Sequence, residues 1–404
     1  MAGCRTAEAL HAVASSSMRD YVDRFMPDAA DQIDQRSDGC RVERGEATVR
    51  VCDLRPERLL QKQITKSRKT MNTFDWIREI IGTKRVAAIP IMTHPGIEIL
   101  GYRVLDAVAD GEVHFKAIQA LDERFPQSSA STVIMDLSVE AEAFGAKLHF
   151  AENEVPSVVG RLVSSYDEVM ALPVPSVDSA RLPEFLKANR LAAEHLAKPV
   201  SAGSIGPFSL AGRLFDMTEI MMAIYTEPET VEALLEKCTA FLLAYIRALK
   251  ECGVAGVIVA EPAAGLLPDE DCRRFSSVYI RKIVEALQED TFAVILHNCG
   301  NSGHCTGAMV ATGAKGYHFG NRIDMLDALR DCPGDTMVMG NLDPVGLFKN
   351  AAAEDVEQAT RSLLERTASY PNFVISTGCD TPPEVPMANI EAFYRAVEAF
   401  NTSR

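Results

Sequence analysis

Positive charge is scarce in this sequence. Its 404 residues include 41 Lys and Arg against 56 Asp and Glu, which gives a net charge of −15 at pH 7 and a pI near 5.1. An acidic surface of this kind repels phosphate backbones and anionic lipid headgroups. The charge balance therefore argues against a nucleic-acid-binding protein and against docking on anionic membranes.

Long apolar runs and a disulfide framework are also missing. No apolar stretch reaches the roughly 20 residues that a membrane-spanning helix needs, and no cationic segment followed by an apolar one marks the amino terminus. The ten cysteines have no framework spacing, and 47% hydrophobic residues can build a core without disulfides. We therefore expect a cytoplasmic protein of one large domain or two, without membrane insertion.

What the sequence does contain, from residue 72 onward, is a regular alternation of apolar runs and helical patterns. One helical pattern begins at Thr226 with a capping box and ends at Gly253. Eight strand–helix units predict an α/β protein with a closed parallel (β/α)8 barrel. An open doubly wound sheet is the alternative, but it needs a glycine-rich phosphate loop, and residues 203–206 are too short a match. The predicted strands are residues 86–92, 132–136, 199–205, 255–260, 292–297, 315–319, 336–340 and 373–377.

Residues 1–71 differ from the rest, and we interpret them as an N-terminal extension or cap on the barrel of residues 72–404. Cys40 and Cys52 flank an alternating pattern that is typical of a small hairpin. A disulfide, a metal site and two half-buried thiols remain alternative interpretations of this pair.

Polar side chains collect at one end of the predicted strands. In a (β/α)8 barrel, the loops that follow the strands build the active site. This asymmetry predicts a functional site at the carboxyl rim, and the residues involved are Thr93, His94, Asp136, Ser204, Glu261, His297, Cys299, Asn301, His318, Asn341, Asp343, Cys379 and Asp380. Glu140 and Glu142 follow Asp136, either as an acid–base pair or as ordinary first-turn helix residues.

Three of these strand-end residues form a candidate metal site. His297 and Cys299 are two residues apart and can face the same side, and Cys379 ends a later strand. Zinc binds imidazole and thiolate, and a catalytic site leaves a fourth position open. A closed structural site completed by His304 or Cys305, and ordinary buried thiols, are the alternatives.

Several motifs together resemble the uroporphyrinogen decarboxylase superfamily, and within it the methylcobalamin:coenzyme M methyltransferase branch. The resemblance covers about residues 72–402, and it is carried by residues 135–146, 154–156, 206–212, 261–262, 297–300 and 378–386. It implies a barrel that holds Zn²⁺ through His297, Cys299 and Cys379.

The resemblance further implies an enzyme that moves a methyl group between a cobalamin and a small substrate activated by zinc. A thiol such as coenzyme M is the first choice, and a methyl ether or amine that methylates cob(I)alamin is the alternative. Methylcobalamin would be a co-substrate on a separate corrinoid protein, because this chain lacks an Asp-x-His-x-x-Gly cobalt-binding motif. Glu261 and Asp136 are candidate catalytic residues, and Asn301, His318, Asn341 and Asp380 are candidate substrate-binding residues.

Other interpretations stay open at this stage. An ion pair with Arg213 is the alternative for Glu261, and a non-catalytic zinc-binding relative is the alternative for the whole chain. A decarboxylase would need cations for a substrate with many carboxylates, yet residues 92–101 contain no Arg. A homodimer is left open.

Overall fold

The computed structural model describes residues 72–404, so the predictions for the N-terminal extension and for Cys40 and Cys52 lie outside the described residues. The strands, with the small hairpin β3–β4, are β1 Ala87–Ala88, β2 Ser131–Thr132, β3 Leu148–His149, β4 Ser157–Val158, β5 Val200–Ile205, β6 Gly256–Ala260, β7 Ala293–Asn298, β8 Gly316–Phe319, β9 Met337–Leu342 and β10 Phe373–Thr377. Eight of them are parallel and form one sheet in the order β1-β10-β9-β8-β7-β6-β5-β2. Each of the eight overlaps one predicted strand, which confirms the α/β (β/α)8 barrel, although β1 and β2 are shorter than predicted.

Helices connect the strands and cover the outside of the sheet. Single turns of 3-10 helix (Pro262–Leu266) and of π-helix (Arg273–Ser277 and Pro344–Lys349) occur in the loops. The α-helices are α1 Thr73–Gly82, α2 His94–Ile99, α3 Val104–Ala109, α4 Gly111–Arg124, α5 Val139–Ala143, α6 Tyr166–Ala171, α7 Leu182–His195, α8 Pro207–Phe215, α9 Met217–Thr226, α10 Pro228–Glu251, α11 Asp269–Cys272, α12 Val278–Leu287, α13 Thr306–Val310, α14 Met325–Asp331, α15 Ala353–Thr367 and α16 Met387–Thr402. None of the helices within residues 72–404 has both the length and the apolar character to cross a membrane.

Ser129 bridges β1 and β2 through its backbone amide and its hydroxyl. The Ser129 amide donates to the Ala88 carbonyl over 2.8 Å, and the Ala88 amide donates to the Ser129 hydroxyl over 3.3 Å. Both strands are two residues long, so these bonds replace a regular ladder at this seam.

Helix α1 closes the amino-terminal end of the barrel. Its buried Ile77 and Ile80 belong to the same apolar cluster as Ala87, Ala293 and Met337, which begin strands β1, β7 and β9. Burial of this apolar surface contributes roughly 25 cal/mol per Å². With that end filled, the carboxyl ends of the strands are left as the open face of the barrel.

The predicted start of the long helix α10 is wrong by one residue. Thr226 ends α9, where its hydroxyl donates to the Met222 carbonyl. The N-cap residue of α10 is Glu227, which makes no side-chain capping bond. The predicted end is confirmed, because Gly253 adopts a φ of 89°, a conformation that favours glycine.

Candidate metal centre and active site

Strands β7 and β10 bring the three predicted metal ligands together. His297 lies on β7, Cys299 follows that strand, and Cys379 lies two residues beyond β10. One donor atom from each residue lies within 4.8 Å of the other two, and His297 Nε2 is 3.6 Å from Cys379 Sγ. Within residues 72–404, this is the one group of three or more His, Cys or carboxylate donors that is able to hold a metal ion.

The backbone after β7 turns so that Cys299 faces the barrel mouth. Asn298 Oδ1 accepts hydrogen bonds of 3.0 Å from the amides of both Gly300 and Asn301, which ends the strand abruptly. Gly320, after β8, leaves room for this loop, because a Cβ atom there would lie 2.6 Å from Cys299 Cα. Neighbouring glycine and asparagine residues therefore fix the position of the ligand backbone.

The thiols of Cys299 and Cys379 shift each other's pKa in opposite directions. Hydrogen bonding with Cys379, and then the proximity of His297, lowers the pKa of the Cys299 thiol against the opposing effect of burial. The same contact with Cys299 raises the pKa of the Cys379 thiol. Two thiolates and an imidazole form a soft, charge-balancing donor set that suits Zn²⁺ and does not suit Mg²⁺ or Ca²⁺. The residues present therefore fit zinc.

The two candidates for a fourth protein ligand point elsewhere. His304 Nε2 lies 3.1 Å from the Leu267 carbonyl, and Cys305 Sγ lies 3.3 Å from the same oxygen. Neither belongs to the donor group formed by the described residues. The geometry therefore favours a three-ligand site over a closed one.

His318 is next to the metal site but does not face an open pocket. It is fully buried, its Nδ1 is 2.7 Å from His297 Nδ1, and its Nε2 is 2.9 Å from the Ser376 hydroxyl. Burial, and then the proximity of His297, lowers the pKa of His318 well below its usual value. Ser376 is not among the predicted site residues, although it directly follows the apolar run Phe373–Ile375, where a strand was expected to end at the rim.

Glu261 follows β6 as predicted, and its carboxylate lies against the first turn of α8. Its Oε1 accepts hydrogen bonds from the amides of Phe208 and Ser209, at 2.9 and 3.4 Å. A side chain at Gly206 would overlap this carboxylate. These contacts take the place of the ion pair with Arg213 that was the alternative. Burial raises the pKa of Glu261 to about 8, although the amides oppose the shift.

Asp136 is engaged in an ion pair. Its Oδ2 lies 2.6 Å from Arg181 Nη1, and its Oδ1 accepts hydrogen bonds from the amide and hydroxyl of Ser138. Glu142 binds the same guanidinium at 2.7 Å, whereas Glu140 is buried and accepts a bond from the Ile205 amide. The two glutamates therefore do not form a carboxylate pair, and a catalytic role for Asp136 stays a prediction.

Asn301 and Asn341 hold loops at the rim. Asn301 Oδ1 accepts from the amides of Gly303 and Cys305, at 2.8 and 3.1 Å. Asn341 Nδ2 donates to the carbonyls of Gly320 and Ile323, at 2.9 and 2.7 Å. Most of the hydrogen-bonding capacity of these amides is thus used within the protein, and their part in substrate binding stays a prediction.

Asp380 lies beside Cys379 in a region with unsatisfied polar atoms. Its Oδ2 is 3.9 Å from His94 Nδ1, and burial raises its pKa to about 6 while His94 opposes that shift. Asp380 Oδ1 and the hydroxyls of Thr93 and Thr381 are buried without a hydrogen-bond partner among the described residues. Unsatisfied buried polar atoms are rare in proteins and often mark a binding site for water or a ligand.

The family and its relatives agree with this geometry. The uroporphyrinogen decarboxylase (URO-D) family model matches residues 85–400. A methylcobamide:CoM methyltransferase MtbA from Methanosarcina mazei is 30% identical over 267 residues, which are 65% of this chain and 77% of that protein. A uroporphyrinogen decarboxylase from Azotobacter vinelandii is 30% identical over 292 residues, 69% of this chain and 81% of the relative.

Solved structures share the fold at lower identity. A methyltransferase from Methanosarcina mazei superimposes with a TM-score of 0.72 at 21% identity, and the match covers 80% of this chain and 96% of the methyltransferase chain. A B12-independent methionine synthase from Shewanella sp. W3-18-1 gives a TM-score of 0.51 at 14% identity, and the match covers 79% of this chain and 96% of the synthase chain. The family match spans most of the sequence, so this chain belongs to the uroporphyrinogen decarboxylase family, and its similarity to MtbA supports a methyltransferase of that superfamily.

Proposed function

We propose that this protein is a zinc-dependent corrinoid methyltransferase. It would move a methyl group between a cobalamin, carried by a corrinoid protein, and a small substrate, with a thiol such as coenzyme M as the first choice. The observation that carries the proposal is the convergence of His297, Cys299 and Cys379 donor atoms within 4.8 Å. The relatives named methylcobamide:CoM methyltransferase support the corrinoid and the thiol.

The three ligands define the chemistry of the site. Zinc held by these two thiolates and one imidazole would supply a coordination position that lowers the pKa of a substrate thiol toward neutral pH. The lowered pKa of Cys299 helps the protein offer thiolate ligands without strong base. His297 contributes a neutral nitrogen, so that the two sulfur charges balance the cation.

Residues around the ligands have supporting roles in this proposal. The pKa of Glu261, about 8, lets its carboxylate accept or release a proton near neutral pH. Thr93, Asp380 and Thr381 have buried polar atoms that find no hydrogen-bond partner in residues 72–404. A polar portion of the small substrate would satisfy them, which agrees with the predicted substrate-binding role of Asp380.

Decarboxylation is the second candidate function, because decarboxylases occur among the relatives at similar identity. The loop after β1 argues against it. Arg103 is the first arginine there, and it is half exposed and paired with Asp106 and Glu152. A substrate with many carboxylates would find no free cation in that loop.

Methyl transfer can be measured as the loss of methylcobalamin absorbance in the presence of different thiols, alongside zinc content. We expect one zinc per chain and turnover with at least one thiol. Cys299→Ala should abolish both, since it removes a ligand and a negative charge. Cys332→Ala, another buried cysteine outside the donor group, should leave both unchanged. Turnover that persists in Cys299→Ala, or decarboxylation of uroporphyrinogen, would contradict the proposal.

A further inference from the structure

We propose that His318 and Ser376 are positioning residues that set the tautomer of His297, so that its Nε2 presents a lone pair to the metal. The inference rests on the zinc site of the proposed function. It gives His318 a different role from the substrate contact predicted from the sequence. The proposal is based on a chain of hydrogen bonds that runs from His297 through His318 and Ser376 to the carbonyl of Ile89.

The direction of the chain follows from its last member. A carbonyl oxygen only accepts, so the Ser376 hydroxyl donates its one hydrogen to Ile89 O over 2.8 Å. The serine oxygen is then left with lone pairs for His318 Nε2, 2.9 Å away, which must donate. The reverse arrangement would set a serine lone pair against the carbonyl oxygen of Ile89, which is repulsive.

Because His318 Nε2 carries a proton, the protonation of His318 Nδ1 and of His297 Nδ1 follows. His318 is fully buried, and within residues 72–404 no carboxylate contacts its ring nitrogens. A buried ring in such surroundings stays neutral, with one donor and one acceptor. His318 Nδ1 is therefore an acceptor, and His297 Nδ1, 2.7 Å away, donates to it. The proton of His297 is held on Nδ1, and Nε2 keeps the lone pair beside Cys379 Sγ.

The barrel fold makes this arrangement possible. His297 and His318 are register partners on neighbouring strands β7 and β8, so their side chains leave the sheet on the same side. Ser376 reaches them from β10, and Ile89 follows β1. A ligating imidazole commonly donates its second N–H to a protein acceptor, and loss of such an acceptor typically lowers metal affinity by about 10–100-fold.

Two substitutions of equal shape separate hydrogen bonding from packing. His318→Asn places an amide oxygen where Nδ1 accepts, whereas His318→Leu has the same branched shape without an acceptor. We expect His318→Leu to weaken zinc binding about 10–100-fold in chelator competition, and His318→Asn to recover most of that loss. Equal losses in the two variants, or zinc binding by His318→Leu at wild-type affinity, would overturn the inference.

Ser376 has a matched control on the same strand. Ser376→Ala should weaken zinc binding about tenfold or less, because it frees His318 to exchange tautomers. The Thr377 side chain is equally buried and bonds the Ile91 backbone of the same neighbouring segment, so Thr377→Val should leave zinc affinity unchanged. A zinc affinity of Ser376→Ala that equals that of Thr377→Val would show that the hydroxyl does not act through His318.

Nitrogen NMR of the zinc-free protein, labelled with 15N-histidine, reads the tautomers directly. We expect His297 protonated on Nδ1 and His318 protonated on Nε2. The opposite tautomer of His297 would overturn the inference even if zinc binds. If the wild-type protein binds no zinc at all, the proposed function fails instead, so the two failures are distinguishable.

Discussion

Arg181 neutralises two carboxylates at the mouth of the barrel. Its Nη1 lies 2.6 Å from Asp136 and its Nε lies 2.7 Å from Glu142, while the guanidinium also packs over the rings of Phe150 and Phe185. The side chain of Asp136 is completely buried and that of Arg181 is 12% exposed. Removal of one partner from such a buried pair leaves an uncompensated charge.

Arg181→Met is therefore expected to lower the free energy of unfolding by about 3–5 kcal/mol in urea titrations. The matched control is Arg273→Met. Arg273 pairs with Asp269, both side chains are about half exposed, and loss of this pair should lower the free energy of unfolding by at most about 1 kcal/mol. The double variant Arg181→Met, Asp136→Asn should regain part of the loss. Equal effects of Arg181→Met and Arg273→Met would show that burial of the Arg181 pair is unimportant.

Glu140 makes stability depend on pH. Burial raises its pKa from 4.5 to about 7. Between these values the unfolded chain has lost the proton that the folded protein keeps, so the free energy of unfolding falls as pH rises from about 4.5 to about 7. Glu140→Gln should flatten this decline, whereas exposed Glu354→Gln should not. A decline that is unchanged in Glu140→Gln would place the cause in other groups.

At the scale of structural elements, the loop after β7 is held in place by several hydrogen bonds and one close backbone contact. Asn298 turns it, Asn301 ties it to α13, and Gly320 lets it approach the loop after β8. Each contact lies within a few residues of Cys299, so the loop sets the position of one ligand.

Gly320→Ala is expected to displace this loop, because the added Cβ would lie 2.6 Å from Cys299 Cα. We expect zinc affinity to fall by about tenfold or more, as for other changes that misplace ligands. Gly334→Ala is the control, since an added Cβ there meets nothing within 4 Å. Chelator competition on both variants measures the difference, and equal zinc affinities would contradict the steric argument.

The strands were predictable and several of their connections were not. An apolar run such as Phe373–Ile375 is typical of a buried parallel strand, whichever neighbours it has. The hairpin strand β4 has two residues, too few for a periodic signal. Thr226 was misassigned because its capping pattern is equally compatible with the end of a preceding helix. The seam at Ser129 depends on tertiary contact alone.

The candidate site also has a predictable part and an unpredictable part. His297, Cys299 and Cys379 were predictable because strand ends in a barrel converge on one rim. The partners of the other polar residues were not, because Asp136 and Arg181 are 45 positions apart and Glu261 and Phe208 are 53 apart. No local pattern shows that Glu261 contacts amides or that His318 contacts another histidine.

At the scale of the whole molecule, zinc should stabilise the folded chain. The ligands come from β7 and β10 and converge only in the folded barrel, so the ion binds the native state in preference to the unfolded one. Zinc at 1,000 times its dissociation constant should add about 4 kcal/mol to the free energy of unfolding. Thermal unfolding with zinc and with a chelator measures this, and Cys379→Ser should remove most of the difference. An equal midpoint in both conditions would contradict it.

The separation of the three donors along the chain sets an order of assembly. Two of them are synthesised with the fifth of the eight barrel strands, and the third is synthesised only with the eighth, after two intervening strands. A nascent or partly folded barrel can therefore bind the metal ion through at most two of the three ligands. Firm metal capture becomes the closing event of maturation, and metal content in a cell extract would report the fraction of molecules whose ring is complete.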